Sequence, residues 1–291
     1  MGTKVSVKLL HPDIDAAQSA LDAAFQKLHH VESVLSLYQQ GSQVNELNHL
    51  KVIKNPDPHF VQVLTRSLHW SRLSDGAFDI TVQPLWRLYQ EADKAGTLPS
   101  PEEISEVQKK VNWRQLKLGL RGIELKGEGS AITLNGIAQG YATDCFRRTL
   151  EESGIRHALI DCGEISTMGQ NPKGSSWSVG IQNPRHADAF SAVAKVQGRC
   201  LATSGDYATH FTSDYRHHHL FDPQTGKSPQ QLASVSVLAP EGIDADALST
   251  AAFVLGPDQG MELIQGTDSI DAFFVLKNGA TLKTEGFPCD M

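Results

Sequence analysis

Two oxygen-bearing side chains, Asp246 and Thr250, stand four residues apart at the start of a predicted helix. Residues at this spacing share one face of a helix, so the carboxylate and the hydroxyl lie one turn apart on the same side. Hard oxygen ligands of this kind suit Mg²⁺. The same pattern also arises when an acidic residue in the first turn only offsets the helix dipole and the threonine faces solvent. The segment predicts a metal site, with an ordinary helix start as the alternative.

A second segment, residues 134–141, places glycines where a predicted strand meets a predicted helix. Its sequence is Leu-Asn-Gly-Ile-Ala-Gln-Gly-Tyr, with glycines at Gly136 and Gly140. Glycine lets a ligand approach the backbone, and a helix N-terminus favours an anion. The pattern is compatible with a phosphate site, and a plain tight turn is the alternative.

Three consecutive histidines, His217, His218 and His219, precede an Asp-Pro-Gln-Thr-Gly turn at residues 222–226. In a strand, His217 and His219 would share a face, which permits a zinc pair. Metal-binding histidines usually come with further ligands in register, however. A cluster of exposed or hydrogen-bonded histidines before a turn is the alternative.

Three common enzyme motifs are absent from the sequence. Gly-x-Ser-x-Gly does not occur, and no Gly-x-Gly-x-x-Gly follows a predicted strand. Gly226-Lys227-Ser228 ends like a P-loop, but Phe221 stands where the first glycine of that motif would be. These absences exclude the serine-hydrolase elbow, the P-loop and the dinucleotide-binding fingerprint.

The elements that must position these residues alternate irregularly between helices and strands. Apolar periodicity and start signals predict a strand over 5–10, a helix from Asp13 or Asp15 to about 35, and helices from 58, from 101, from 136 to about 153, from Asp244 or Asp246 to 255, and from about 258. Strands are predicted at 157–161, 177–182, 192–197, 200–203, 234–239 and 271–276, with a strand meander over 116–134. This order favours an α+β fold over a doubly wound one.

Composition and charge narrow the classes of partner. The 291 residues include 26 Lys and Arg against 33 Asp and Glu, a net charge of −7. That balance argues against binding to nucleic-acid phosphates and against basic attachment to a membrane. The four cysteines form no Cys-x-x-Cys pair, so neither a cysteine zinc site nor a disulfide scaffold is expected.

A series of motifs occurs in one order along the chain. They are Met1-Gly2-Thr3, residues 36–38, Ser42, residues 46–48, 75–86, 135–144, 203–207, 219–226 and 245–250. Together they resemble the ApbE family, the FAD:protein FMN transferases, from the first residue to about residue 285. The match extends over nearly the whole chain.

The resemblance implies an α+β fold in which mixed or antiparallel sheets are flanked by helices, as a single catalytic domain of two lobes over residues 1–291. It also implies Mg²⁺-dependent cleavage of FAD, with FMN passed to a Thr or Ser hydroxyl of a target flavoprotein and AMP released. An FAD pyrophosphatase that yields FMN and AMP would use the same metal site. A flavin-binding protein without turnover is a third possibility, which retention of both Asp246 and Thr250 argues against.

Family roles can be transferred to individual residues of this chain. The metal ligands would be Asp246, Thr250 and the backbone carbonyl of Gly136. His219 would take the proton of the acceptor hydroxyl, because the ordinary pKa of histidine is near neutrality, with Asp246 as the second candidate base. The flavin site would draw on Met1, Tyr38, Ala77, Phe78, Asp79 and Phe221.

Two expected FAD contacts, Thr133 and Gln139, depart from the family pattern. The family usually has Asp-Leu-Gly-Gly-Ile-Ala-Lys-Gly where residues 133–140 read Thr-Leu-Asn-Gly-Ile-Ala-Gln-Gly. Losing one charge alone would leave its partner unbalanced, whereas losing both keeps the local sum at zero. We interpret the change as a paired switch to neutral hydrogen bonding, in a variant that looks like the NosX-like branch.

The resemblance also predicts a compartment and a partner. Family members generally act outside the cytoplasm, so we expect a periplasmic location or the outer face of the inner membrane, with the signal segment absent from this chain. If Met1 is the true start, a cytoplasmic location follows. The expected partners are FAD and an acceptor flavoprotein of a respiratory or NosR-like membrane complex, and no nucleic acid.

Overall fold

A computed structural model describes residues 3–119 and 122–290 of the chain. The helices in this part are α1 (Ile14–Leu35), α2 (Gln43–Leu50), α3 (Pro58–Leu73), α4 (Gln83–Lys94), α5 (Pro101–Gln108), α6 (Ala138–Glu152) and α7 (Gly242–Gln265). The strands are β1 (Ser6–Leu10), β2 (Val52–Ile53), β3 (Leu116–Gly119), β4 (Gly122–Leu125), β5 (His157–Asp161), β6 (Ile165–Met168), β7 (Trp177–Asn183), β8 (His186–Val196), β9 (Cys200–Gly205), β10 (Leu232–Ala239), β11 (Asp271–Leu276), β12 (Thr281–Lys283) and β13 (Cys289–Asp290).

The largest sheet has the strand order β1-β5-β6-β9-β10-β11-β12, and its neighbouring strands pair antiparallel. Strand β10 is buried along its whole length because both faces of the sheet are covered. On one face Val235 and Val237 join a core shared with α6 and α7. On the other face Ala233 and Leu238 pack against residues of β7 and β8, which belong to a second sheet, β13-β8-β7. The predicted α+β class with antiparallel sheets flanked by helices is confirmed.

Helix α1 positions the chain segment that lines one side of the cavity. Its N-cap is Asp13, whose side chain accepts hydrogen bonds from the backbone N–H groups of Asp15 and Ala16, as the predicted start requires. Its apolar stripe packs on α6, where the rings of Phe25 and Phe146 meet edge to face at 5.3 Å between centroids. The helix ends at Leu35, and the chain that follows lines the cavity described below.

Helices α6 and α7 approach each other more closely than side chains would allow. A Cβ atom on Gly140 would lie 2.1 Å from the carbonyl oxygen of Gly242 and 2.8 Å from Cβ of Asp246. The carboxylate of Asp144, on α6, accepts hydrogen bonds from the N–H groups of Gly242 at 2.7 Å and Ile243 at 2.9 Å. These contacts fix the first turn of α7 against α6.

The structure agrees with most predicted elements and differs at a few. The two helices predicted around residues 244–255 and from 258 are confirmed, because a kink at Gly256, where φ is 80° and Pro257 follows, separates two helical parts of α7. No helix was expected over α4, whose buried Leu85 and Tyr89 pack with Phe221. Residues 126–134 of the predicted meander form no strand, and Ala131 makes only a single bridge.

Two further observations bear on the sequence-based expectations. The triplet His217–219 is not part of a strand, because only His218 forms a bridge, with His210. In the part of the chain that the structure describes, no helix combines the length and hydropathy needed to cross a membrane.

Candidate active site

A cavity of about 320 Å³ lies between the chain after α1, the loop at 77–82, the end of β9 with the loop that follows it to residue 209, and helices α6 and α7. Every predicted site residue that the structure describes contributes to its lining: Tyr38, Ala77, Phe78, Asp79, Thr133, Gly136, Gln139, His219, Phe221, Asp246 and Thr250. Met1, the remaining predicted flavin contact, lies outside the described residues. Residues that are more than 200 positions apart in the sequence are thus brought to one cavity.

The predicted metal ligands lie on α7 and on the segment before α6. Asp246 is 4% exposed, and its Oδ2 accepts a hydrogen bond of 3.0 Å from the N–H of Gly140. The hydroxyl of Thr250, one turn later, lies 3.1 Å from the hydroxyl of Ser204. A Cβ atom on Gly136 would be only 2.9 Å from Oγ1 of Thr250, so the backbone there packs directly on the threonine. We call Gly136, Glu164, Asp246 and Thr250 the floor of the cavity.

Glu164 is the floor residue that the sequence analysis missed. It lies between β5 and β6, is 8% exposed, and accepts a hydrogen bond of 3.3 Å from the N–H of Thr203. Burial and the charge of Asp246 raise its pKa well above the ordinary value. The available signal was an acidic residue shortly after a predicted strand, preceded by the turn glycine Gly163.

The floor brings two carboxyl groups together where burial disfavours their charged forms. Burial is the main reason that the pKa of Asp246 rises to about 7, and the charge of nearby Asp144 adds to it. Among the described residues, no lysine or arginine lines the cavity. Two buried carboxylates and a hydroxyl, without a basic side chain beside them, form an oxygen-rich donor set that fits a Mg²⁺ ion.

His219 faces the same cavity from the irregular chain before residue 222. Its Nδ1 lies 3.1 Å from the carbonyl oxygen of Thr209. Because that oxygen can only accept, Nδ1 carries the proton in the neutral ring and Nε2 keeps its lone pair. Burial lowers the pKa of His219 below the ordinary histidine value, and the edge of Trp86 packs at 6.2 Å between ring centroids. The arrangement suits a neutral general base.

Asp79 lines the cavity, but protein donors occupy its carboxylate. Oδ1 accepts hydrogen bonds from the N–H and the hydroxyl of Thr81 at 2.7 and 2.6 Å, and Oδ2 accepts one from the N–H of Trp113 at 2.9 Å. Burial raises its pKa to about 6. These bonds hold the loop that presents Ala77 and Phe78 to the cavity.

Tyr38 and Phe221 differ in exposure. Tyr38 is 74% exposed in the loop after α1, which the side-chain amide of Asn45 ties down by donating to the carbonyls of Leu37 and Gln39 at 2.9 and 2.8 Å. Phe221 is 4% exposed and packs on Tyr89, with 4.8 Å between ring centroids. We call the loop that carries Tyr38 and the chain that carries His219 the rim of the cavity.

Thr133 and Gln139, the two departures from the family pattern, contact different neighbours. The hydroxyl of Thr133 accepts a hydrogen bond of 3.2 Å from the N–H of Asn135. The amide of Gln139 lies against Gly163, where a Cβ atom would be 2.9 Å from its Cδ. Both line the cavity, and the interpretation of a paired change stays a prediction.

Comparison with known proteins identifies the family of the chain. The sequence model of the ApbE family matches residues 1–274. A protein named FAD:protein FMN transferase from Escherichia coli K12 is 31% identical over 288 residues, covering 94% of this chain and 82% of the relative. A protein of the same name from Salmonella typhimurium is 29% identical over 297 residues, covering 98% of this chain and 84% of the relative.

Solved structures of this family resemble the chain in fold. The apo form of flavinyl transferase ApbE from Pseudomonas stutzeri is 31% identical with a TM-score of 0.84, over 98% of this chain and 92% of that one. The ApbE protein from Thermotoga maritima is 27% identical with a TM-score of 0.83, over 97% of this chain and 92% of that one. In sequence and in fold, the chain belongs to the ApbE family.

Proposed function

We propose that the protein is an FAD:protein FMN transferase, which passes FMN from FAD to a Thr or Ser hydroxyl of a target flavoprotein and releases AMP. The observation that carries this proposal is the pairing of an acidic, oxygen-rich floor with His219, whose Nε2 is free to accept a proton. The names of the Escherichia coli and Salmonella relatives support the same activity.

The floor requires a cation before it can hold a pyrophosphate. FAD carries negative phosphates, and Asp246 and Glu164 would repel them in a poorly solvated cavity without basic residues among the described lining. Asp246, Thr250 and the carbonyl of Gly136 would hold Mg²⁺, with Glu164 adding negative charge beside it. When bound, the ion supplies neutralisation of charge on the phosphoryl oxygens.

The transfer step uses His219 as the base. The acceptor hydroxyl attacks the FMN-side phosphorus, its proton passes to Nε2 of His219, and the bond to the AMP oxygen breaks as AMP leaves. The bond from Nδ1 to Thr209 orients the ring, and burial keeps it neutral near pH 7. Asp246 is the weaker candidate base, because metal ligation would lower its basicity.

The flavin would be held by the apolar part of the lining. Phe78, Phe221 and Tyr38 offer aromatic surface to the isoalloxazine, with Ala77 beside them. Thr133 and Gln139 would make neutral hydrogen bonds to FAD in place of the charged pair that is usual in the family. We propose Met1 as a further flavin contact.

The acceptor and the compartment are part of the proposal. We infer an acceptor flavoprotein in a respiratory or NosR-like membrane complex, and action in the periplasm or at the outer face of the inner membrane. The support is the family resemblance, which includes the NosX-like variant over residues 133–140. A cytoplasmic location is the alternative.

One experiment separates the candidate activities. The protein is incubated with FAD, Mg²⁺ and a peptide that contains an acceptor threonine, and the products are resolved by chromatography and mass spectrometry. We expect equal amounts of AMP and FMN-bearing peptide, and no peptide product when valine replaces the threonine. Free FMN in equal amounts with either peptide would indicate a pyrophosphatase, and intact FAD would indicate a binding protein.

A further inference from the structure

A cluster of metal-ligating side chains lies away from the cavity, where α1 meets the start of α3. His30 is on α1, Asp57 is the N-cap of α3, and His59 is in the first turn of α3. One ligand atom from each lies within 4.8 Å of the other two. No second group of three or more such side chains meets this condition between residues 3 and 119 or between 122 and 290.

The spacing of His30 and Asp57 matches a shared tetrahedral ion. Nε2 of His30 lies 3.3 Å from Oδ2 of Asp57. Two ligands bound to zinc at their usual bond lengths of about 2.0–2.1 Å, at tetrahedral angles, are about 3.3–3.4 Å apart. Oδ1 of Asp57 is separately engaged, because it accepts the helix-capping hydrogen bond from the N–H of His59 at 2.8 Å. Oδ2 is therefore available to a cation without loss of the cap.

His59 is oriented by a partner behind it, as metal-binding histidines usually are. Its Nδ1 lies 2.6 Å from the hydroxyl oxygen of Tyr141, and that hydroxyl donates its proton to Oε1 of Gln62 at 2.9 Å. Nδ1 must then be the donor to Tyr141, which leaves the lone pair on Nε2.

We propose that His30, Asp57 and His59 bind one transition-metal ion of the zinc class, at a site separate from the cavity. Two imidazoles and one carboxylate suit Zn²⁺, whereas Mg²⁺ prefers oxygen ligands, which the floor residues supply. His30 is half exposed, which leaves room for water at the fourth position. The ion joins α1 to α3 and stabilises the folded chain because the unfolded chain lacks the site.

The test is a calorimetric titration of untagged protein with Zn²⁺ in the presence of saturating Mg²⁺. We expect one equivalent of Zn²⁺ to bind and to raise the melting temperature. His30→Gln and Asp57→Asn should each lower the affinity about tenfold or more. Asp57→Asn keeps a side-chain oxygen for the helix cap, so its fold is preserved. His29→Gln, the matched control, changes an exposed neighbour and should leave zinc affinity unchanged.

Three outcomes would overturn the proposal. The first is no zinc binding by the parent protein. The second is equal zinc affinity in the parent and in folded His30→Gln, which would place the ion elsewhere. The third is loss of the zinc signal in Asp246→Asn with retention in Asp57→Asn, which would assign the ion to the cavity. Circular dichroism of each variant confirms that the fold is intact.

Discussion

The floor and the rim of the cavity are built differently. Asp246 and Thr250 are on α7, whose first turn is pressed against Gly140 of α6 and held by the two hydrogen bonds that Asp144 accepts. The rim consists of loops. Tyr38 is 74% exposed, and a Cβ atom on nearby Gly41 would meet nothing within 4 Å.

This difference separates two tasks. Charged groups that act on a phosphoryl centre lose much of their catalytic effect when they are displaced by even 1 Å. Tightly packed helices are therefore a suitable support for them. Groups that admit FAD and an acceptor protein need room, and loops on a rigid scaffold provide it. Substitutions on the floor should therefore affect chemistry and stability strongly. Rim substitutions other than those of His219, which supplies the proposed base, should affect binding mildly.

The largest expected effect is at Asp246. Asp246→Asn keeps an oxygen for the N–H of Gly140 but removes the anionic ligand, so we expect FMN transfer to fall by at least about a hundredfold. Thr250→Ala should be milder, because a neutral hydroxyl contributes less to a hard cation than a carboxylate does. The measurement is the rate of FMN attachment to a threonine peptide, with circular dichroism as the folding control. Near-parental transfer by folded Asp246→Asn would remove Asp246 from the metal site.

The second largest effect is expected at His219, the rim residue that supplies the proposed base. His219→Ala should slow transfer by about a hundredfold while leaving FAD and Mg²⁺ affinity unchanged. With saturating Mg²⁺ to keep Asp246 ionised, the parental rate should fall only as pH drops below the ordinary histidine value of about 6.5, because burial lowers the pKa of His219 and protonation removes a base. Rates from pH 5 to 8 should show this decline in the parent. An identical acid limb in His219→Ala would assign the base to another group.

Two glycine substitutions compare the packing of floor and rim directly. Gly140→Ala would place Cβ 2.1 Å from the carbonyl oxygen of Gly242, so we expect it to lower the free energy of unfolding by about 1–3 kcal/mol. Gly41→Ala, the matched rim variant, meets open space and should change that free energy by less than about 0.5 kcal/mol. Urea unfolding followed by circular dichroism gives both values. Equal free energies of unfolding for the two variants would mean that the α6–α7 contact can accommodate the added methyl group.

Tyr38→Ala should have the smallest effect. The ring is mostly exposed, so its loss should raise the apparent KM for FAD by less than about tenfold and leave kcat unchanged. Steady-state rates over a range of FAD concentrations test this, with Tyr38→Phe as the control that retains the ring. A large fall in kcat would mean that Tyr38 contributes to the chemical step.

The sequence predicted the shared helix face of Asp246 and Thr250 better than the residues around it. The spacing of Asp246 and Thr250 identified a shared helix face, and the structure places both on the cavity. Glu164 was not predicted as a site residue because a lone acidic residue between two short strands belongs to no periodic pattern. Only the folded sheet brings it beside Asp246. The tight contact of Gly140 with Gly242 could not be predicted either, since it depends on how two helices that are far apart in the sequence pack together.

Helix α4 and the histidine triplet were missed or left open for different reasons. Helix α4 was missed although Pro84 lies in its first turn and Leu85, Leu88 and Tyr89 recur at helical spacing. These residues pack against α5 and Phe221. The triplet of histidines gave no reason to separate His219 from its neighbours. In the structure His218 is fully buried against Phe253, and only His219 of the three lines the cavity.

The central claim is that the acidic floor transfers FMN only when a divalent cation balances its charge. The direct measurement is the mass shift of one FMN on a threonine peptide, after incubation of the metal-free protein with FAD across a Mg²⁺ titration. We predict no attachment in the presence of a chelator and attachment that rises with Mg²⁺ to saturation. Undiminished FMN attachment after complete removal of divalent metal would contradict the account.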